Sequence, residues 1–173
     1  LSSMLTKRER LVLTDYEDIY LSTLKQRFGR QENVRVDKSD LVDPSSFAQW
    51  SNERLDTVVC TNVLEHLEPD VQVLSCFDKV LEPAGHCIIV VPAGRWLYTV
   101  MDKELGHYRR YTEEELATKM RQAGLDVVFT HRFCKLGKLS WAFSGHGMRN
   151  KHLSPRQMIW FGRLLPIAKL LDK

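Results

Sequence analysis

The sequence predicts an α/β fold, a doubly wound and mostly parallel sheet with helices on both faces. Two observations carry this. Leu55-Asp-Thr-Val-Val-Cys-Thr61 and Gly85-His-Cys-Ile-Ile-Val-Val91 are nearly continuous apolar runs, and a helical stretch from Asp70 to Val80 lies between them. Two such strands joined through a helix make a parallel βαβ unit, whose crossover covers the sheet and turns its faces from water. Strand and helix patterns also alternate along the chain from Arg10 to Phe133. That order belongs to α/β domains.

Taken in order, Arg10-Leu-Val-Leu-Thr14 is a short strand that ends at Asp15. Asp18 to Phe28 is a helix, with Ile19, Leu21, Leu24 and Phe28 at mainly helical spacing and Gly29 as its stop. Asn33-Val-Arg-Val36 is a second strand and runs into Lys38-Ser-Asp-Leu41. Pro44 to Trp50 is a short helix, since proline suits a first turn. Asp56 to Thr61 is the next strand, followed by a loop ending in Glu65-His66. The helix from Asp70 to Val80 places Val71, Leu74, Phe77 and Val80 on one face. After a Pro83-Ala-Gly85 turn comes the apolar strand to Val91. Pro92 to Tyr111 reads as an irregular connector, long enough to be a lid or binding loop. Thr112-Glu-Glu-Glu115 is a capping box that starts a helix to about Ala123, and Gly124 ends it. Asp126 to Phe133 is a strand. Cys134 to Lys173 is helical in pattern, broken by Gly145, Gly147, Pro155 and Pro166. The expected organisation is a core over 1–133 with a basic helical cap, 134–173, in the same domain.

Composition fits a single soluble domain: 173 residues, 43% hydrophobic and 27% charged. No apolar run approaches the roughly 20 residues that span a bilayer, and the first ten residues lack a signal-peptide core. Cys60, Cys76, Cys87 and Cys134 are widely spaced, which suits buried free thiols in a reducing cytoplasm. There is no Cys-x-x-Cys, and His131, His146 and His152 show no ligand spacing, so no metal is expected. The net charge of +3 is uneven: from His131 onward nine Lys or Arg face one acid, Asp172. That tail is either a solvated helical face or a surface for an anionic partner.

Polar residues gather where the C-terminal ends of the strands should lie, which is where open α/β sheets bind ligands. They are Asp15, Asp40, Thr61, Asn62 and His66. A carboxylate at a strand end can accept from both hydroxyls of a ribose, and another can accept from an exocyclic amine. Alone, an aspartate after an apolar strand is more often a turn or N-cap residue.

The order of these phrases goes further. Leu13-Thr-Asp15, Ser39-Asp-Leu41, Leu55-Asp-Thr-Val-Val-Cys-Thr-Asn-Val-Leu-Glu-His-Leu67 and Val80-Leu-Glu-Pro-Ala-Gly85 together resemble class I S-adenosylmethionine-dependent methyltransferases, which are Rossmann-like. Gly106-His-Tyr-Arg-Arg-Tyr-Thr112 and Ala123-Gly-Leu-Asp-Val127 resemble a bacterial subgroup often associated with glycosyltransferases. The resemblance implies S-adenosylmethionine as cofactor, with Asp15 on the ribose, Tyr16 beside the adenine, Asp40 and the Leu41 backbone on the adenine edge, and Thr61 along the methionine portion. It also implies a first strand and a Gly-rich turn ahead of Arg10, and a last strand after Leu171. A segment is therefore expected to precede this chain. Without that central strand the sheet would fall into two halves with unpaired edges. Ala84 stands where the family often has glycine, and alanine fits most turn positions.

His66 and His107 are the candidate bases, because imidazole titrates near working pH. Tyr108, Arg109 and Arg110 are candidates for gripping an acceptor's carboxylate or phosphate; the alternative is that both arginines pair with Glu113 to Glu115. The expected function is methylation, at oxygen, of a small-molecule, lipid-linked or sugar-linked acceptor. No nucleic-acid partner is expected. The basic amphipathic tail could touch the inner face of a membrane. A non-catalytic module that has lost cofactor binding is the alternative.

Overall fold

The computed structural model describes residues 1–133; the expected basic cap over 134–173 lies outside the described residues. Residues up to Arg54 form one compact unit, and a second begins at Leu55. The strands make two separate parallel pairs, one in each unit.

In the first unit a short helix α1 (Ser2–Leu5) precedes strand β1 (Leu11–Asp15), helix α2 (Asp18–Phe28), strand β2 (Val34–Lys38) and a 3-10 helix over Pro44–Trp50. β1 and β2 run parallel from Leu11 opposite Val34 to Asp15 opposite Lys38. α2 is the crossover and packs on both strands. Its buried residues are Leu21 and Phe28, which two helical turns bring onto one face. Ile19 does not join them and is 70% exposed, because two residues rotate it about 200° from Leu21. The 3-10 helix is started by Asp43, whose carboxylate accepts from the Ser45 N–H at 2.9 Å and the Ser45 hydroxyl at 2.6 Å. It buries Phe47 and Trp50 edge to face at 5.5 Å, and the Trp50 indole N–H donates to Asp37 at 3.1 Å. Glu53 receives both Arg10 and Arg35.

In the second unit strand β3 (Leu55–Thr61) leads through a 3-10 turn, Leu64–His66, to helix α3 (Asp70–Val80) and strand β4 (Leu81–Val90). β3 and β4 are parallel, with Thr57 opposite His86 and Thr61 opposite Val90, after a shift between Leu55 and Thr57. α3 buries Val73, Leu74, Cys76, Phe77 and Val80 against β4 and the later helix α5 (Glu113–Gln122). Leu64, Val73, Leu74 and Leu97 have no exposed surface; each contributes roughly 1.5–3 kcal/mol by leaving water. Cys60 and Cys76 are buried free thiols and Cys87 is half-buried.

Three expectations are corrected here. Pro92 to Tyr111 is not irregular: it holds a 3-10 turn, Arg95–Leu97, and a helix α4 (Val100–Glu104) opened by a Thr99–Asp102 capping box. Asp126 to Phe133 forms no strand, because it finds no ladder partner among the described residues. Its alternation survives without the ladder: Phe129 stacks near His131 at 6.1 Å and His131 near Phe133 at 6.5 Å. Ala84 is not an ordinary turn position. Its φ is +65°, the left-handed region where a Cβ costs about 1–2 kcal/mol. No helix among the described residues is long and apolar enough to cross a membrane.

Candidate functional site

At the C-terminal edge of the first unit β1 and β2 finish side by side, and the Ser39 N–H donates to the Asp15 carbonyl at 3.0 Å. Asp15 and Asp40 therefore lie on one edge. Each spends one carboxylate oxygen on a local turn: Asp15 accepts from the Glu17 N–H at 3.0 Å, and Asp40 from the Val42 N–H at 3.0 Å. Such turns explain why aspartate suits a strand end locally. The second oxygen of each accepts nothing from the described residues, which leaves it for a hydroxyl or amine donor. Tyr16 is exposed next to Asp15, with the Lys38 ammonium 5.9 Å from its ring centre. Leu41 is half-buried. These four residues share one edge of the first unit. Thr61, His66 and His107 belong to the second unit.

There Thr61 ends β3, and the Asn62 N–H continues the ladder to the Val90 carbonyl at 2.8 Å. Asn62 then turns the chain at φ +51°, a region asparagine enters more readily than most residues. The 3-10 turn that follows carries Glu65 and His66. The loop after β4 returns to the same place: the Tyr108 N–H donates to the Glu65 carbonyl at 2.8 Å, and the His66 and His107 rings meet edge to face at 4.6 Å.

Two buried aspartates hold that loop. Asp102 has no exposed surface and accepts from the Thr99 N–H at 2.8 Å, the Arg110 Nε–H at 2.8 Å and His107 Nδ1 at 2.9 Å. Burial alone would raise its pKa; Arg110, the Thr99 amide and His107 outweigh that and hold it below the usual range. A neutral His107 that donates from Nδ1 presents Nε2 as an acceptor. Asp70 accepts from Arg109 at 2.6 Å, Lys119 at 2.8 Å and the Tyr111 hydroxyl at 2.9 Å. Its carboxyl is held low by Lys119, Arg109 and Tyr111 against a larger single effect of burial. Tyr111 is pushed up, chiefly by burial and then by Asp70.

Glu65 differs from both. It is 1% exposed, and neither carboxylate oxygen has a hydrogen-bond partner among the described residues. Burial pushes its pKa up. Burial, then the neighbouring His107, pushes His66 down, and the Gly106 backbone works the other way.

The candidate acceptor-gripping residues are accounted for as follows. Tyr108 is exposed, with the Arg109 guanidinium 5.7 Å from its ring centre. Arg109 reaches Asp70 and the Glu68 carbonyl, and Arg110 is buried on Asp102. Their acids are thus Asp70 and Asp102. Glu115 instead closes its own capping box with Thr112 and meets Arg95, and Glu113 meets Arg132. Sequence reasoning passed over Asp70, Asp102 and Glu65 as site residues. The Thr99-x-x-Asp102 capping signature could have found Asp102. Nothing local marks Glu65 as a buried acid.

Comparison with known proteins agrees with this architecture. Methyltransferase domains, as a family, match residues 1–87, just over half of the chain. No curated protein matches it closely enough to count as a relative. Among solved structures it is similar to the trans-methyltransferase CalH in complex with SAH, at 22% identity and TM-score 0.52, over 66% of this chain and 36% of that one. It is also similar to the CurJ carbon methyltransferase, at 17% identity and TM-score 0.53, over 66% of this chain and 34% of that one. YcgJ of Bacillus subtilis is similar at 12% identity and TM-score 0.58, over 86% of this chain and 70% of that one. At these identities the likeness shows the fold, a Rossmann-like α/β arrangement with parallel strands. The chain spans about a third of the length of the first two.

Proposed function

We propose, because the chain belongs to the methyltransferase-domain family, that it binds S-adenosylmethionine and transfers its methyl group to a small-molecule, lipid-linked or sugar-linked acceptor, at oxygen. The observation that carries this reading is the pair Asp15, which ends β1, and Asp40, two residues beyond the end of the adjacent parallel strand β2, with one oxygen each left to accept. Asp15 takes the ribose hydroxyls and Tyr16 lies beside the adenine. Asp40 and the Leu41 backbone take the adenine edge, and Thr61 lines the methionine portion. When bound, S-adenosylmethionine supplies a methyl on a sulfonium, which needs alignment rather than further activation.

The chain's own task is then to take a proton from the acceptor hydroxyl. His107 suits it: Asp102 fixes its tautomer from Nδ1, and the acceptor nitrogen is left for the substrate proton. His66, edge to face with it, is the second candidate. Tyr108 and the part-exposed Arg109 contact the acceptor, and Arg110, buried on Asp102, fixes the loop that carries them. The subgroup often associated with glycosyltransferases, a bacterial source and a cytoplasmic setting belong to the same reading. So does peripheral membrane contact by the basic stretch over 134–173, which rests on sequence alone and which liposome flotation at low and high salt tests.

Titration calorimetry with S-adenosylmethionine and its demethylated product tests the cofactor assignment. Asp15→Asn is expected to weaken binding about 10- to 100-fold, the worth of a charge-assisted hydrogen bond. Unchanged affinity in that variant refutes the ribose assignment. No binding by the wild-type chain favours the non-catalytic module.

A further inference from the structure

The Glu65 carboxylate is nearly fully buried and has no hydrogen-bond partner on either oxygen among the described residues. A buried acceptor-only group without donors is costly, and in native proteins such a group usually answers to something that binds it. Its neighbours say what. One oxygen of Glu65, one ring nitrogen of His66 and one of His107 all lie within 4.8 Å of one another. We propose that these three side chains form a site for a first-row divalent cation of the Zn²⁺ or Fe²⁺ kind.

The donor set supports the choice. Two imidazoles and one carboxylate suit Zn²⁺, Fe²⁺ and their neighbours, whereas Mg²⁺ and Ca²⁺ prefer oxygen alone. Metal–ligand bonds of about 2.0–2.1 Å place adjacent ligand atoms roughly 3.0–3.4 Å apart. Small side-chain rotations therefore close the triangle. Outer support is already in place: Asp102 accepts from His107 Nδ1 at 2.9 Å, and metal-binding histidines almost always donate their second N–H to such a group. Asp102 is itself fixed by Arg110 and the Thr99 amide. The position also fits, since the 3-10 turn bearing Glu65 and His66 directly follows the C-terminal end of β3, the usual ligand edge of a parallel sheet. Three protein ligands leave a coordination position open, the pattern of reactive rather than purely structural sites. With a cation held there the imidazole nitrogens of His66 and His107 would be ligands and no longer bases, and the cation would take over their task, since an acceptor hydroxyl bound to it would lose its proton more readily. That last use rests on the methyl-transfer reading; cation binding does not.

The test uses the full chain, stripped with chelator and titrated with Zn²⁺ by calorimetry. One equivalent is expected to bind, and Glu65→Gln, His66→Asn and His107→Asn should each weaken it at least tenfold. Asp102→Asn should weaken it about 10- to 100-fold. Because Glu65 is buried, a second measurement needs no variant. Fe²⁺ with peroxide, read by mass spectrometry on the wild-type chain, should oxidise His66 and His107 ahead of the other four of its six histidines. Absence of stoichiometric binding, undiminished binding in a folded Glu65→Gln/His107→Asn variant, or oxidation centred on other histidines would each overturn the site. Zn²⁺ binding in a protein that fails to bind S-adenosylmethionine would leave the site standing and remove only the methyl-transfer reading.

Discussion

Replacing Asp70 with asparagine removes one charge from the centre of the second unit and almost no volume. The Asp70 side chain is 4% exposed, and Arg109 and Lys119 hold it at 2.6 and 2.8 Å. It joins the start of α3 to α5 and, through Arg109 and Tyr111, to the loop that carries His107. Breaking a buried ion pair by deleting one partner costs about 3–5 kcal/mol. Arg109 and Lys119 keep 27% and 31% of their side chains in water, so solvent takes up part of the loss. Asparagine can also still accept from Tyr111. The net cost should be about 2–3 kcal/mol. With a urea dependence of about 1–3 kcal/mol per molar, the midpoint falls by roughly 1–2 M. Urea unfolding followed by circular dichroism measures it, and hydrogen exchange should place the loss in α3 and α5. The pH dependence gives a second check. Burial alone would raise the Asp70 pKa, and Lys119, Arg109 and Tyr111 more than reverse it, bringing it below the ordinary 3.8. A depressed folded pKa stabilises fully above the unfolded value, and the gain disappears as pH falls through the folded one. Wild type and variant should therefore begin to converge as pH falls below about 3.8 and meet only below the lower, folded pKa. A neutral-pH difference under about 0.5 kcal/mol, or one that persists unchanged in acid, refutes the reasoning.

Other substitutions probe other parts of the argument. Leu64→Ala, at a position with no exposed surface, should cost about 2–5 kcal/mol, read as a drop in urea midpoint; a loss below about 1 kcal/mol would mean the turn before α3 is not core. Ala84→Gly should stabilise by about 0.5–1 kcal/mol, the relief of a left-handed φ less the freedom glycine adds to the unfolded chain; a lower melting temperature would contradict it. Gly124→Ala should destabilise by about 1–2 kcal/mol, since φ there is +98° and the new Cβ would stand 2.9 Å from an Asp78 oxygen. Cys60 and Cys87 have pKa values pushed up to about 12, both chiefly by burial, so neither should alkylate appreciably at pH 8 in the native protein; rapid labelling of either would count against this packing.

Much of this protein is legible one residue at a time. The bounds of α2, α3 and the Thr112 capping box follow from apolar spacing and end residues, which act within one turn of helix. That Asp15 and Asp40 share one edge also follows from the strand pattern, because residues at or just past the ends of neighbouring parallel strands come out on the same side of the pair. Other features depend on residues far apart in sequence. Asp126 to Phe133 alternates like a strand yet forms none, since a ladder needs a partner and alternation supplies only the faces. Val73 and Cys76 join the buried face of α3 because β4 and α5 both press on that helix. The strands form two separate parallel pairs, each closed by a crossover helix.

The chain's chemistry divides in the same way. Sequence by itself determined the α/β order, the parallel βαβ crossovers and the family, since periodicity and short phrases are local properties. Only the folded chain decided that Arg109 and Arg110 are bound by Asp70 and Asp102, and that the Glu65 carboxylate lies beside two histidines with no hydrogen-bond partner among the described residues. Arg109 reaches Asp70 across 39 residues of chain and Arg110 reaches Asp102 across 8, and burial in a low-dielectric interior gives these pairs an energy that no local pattern encodes.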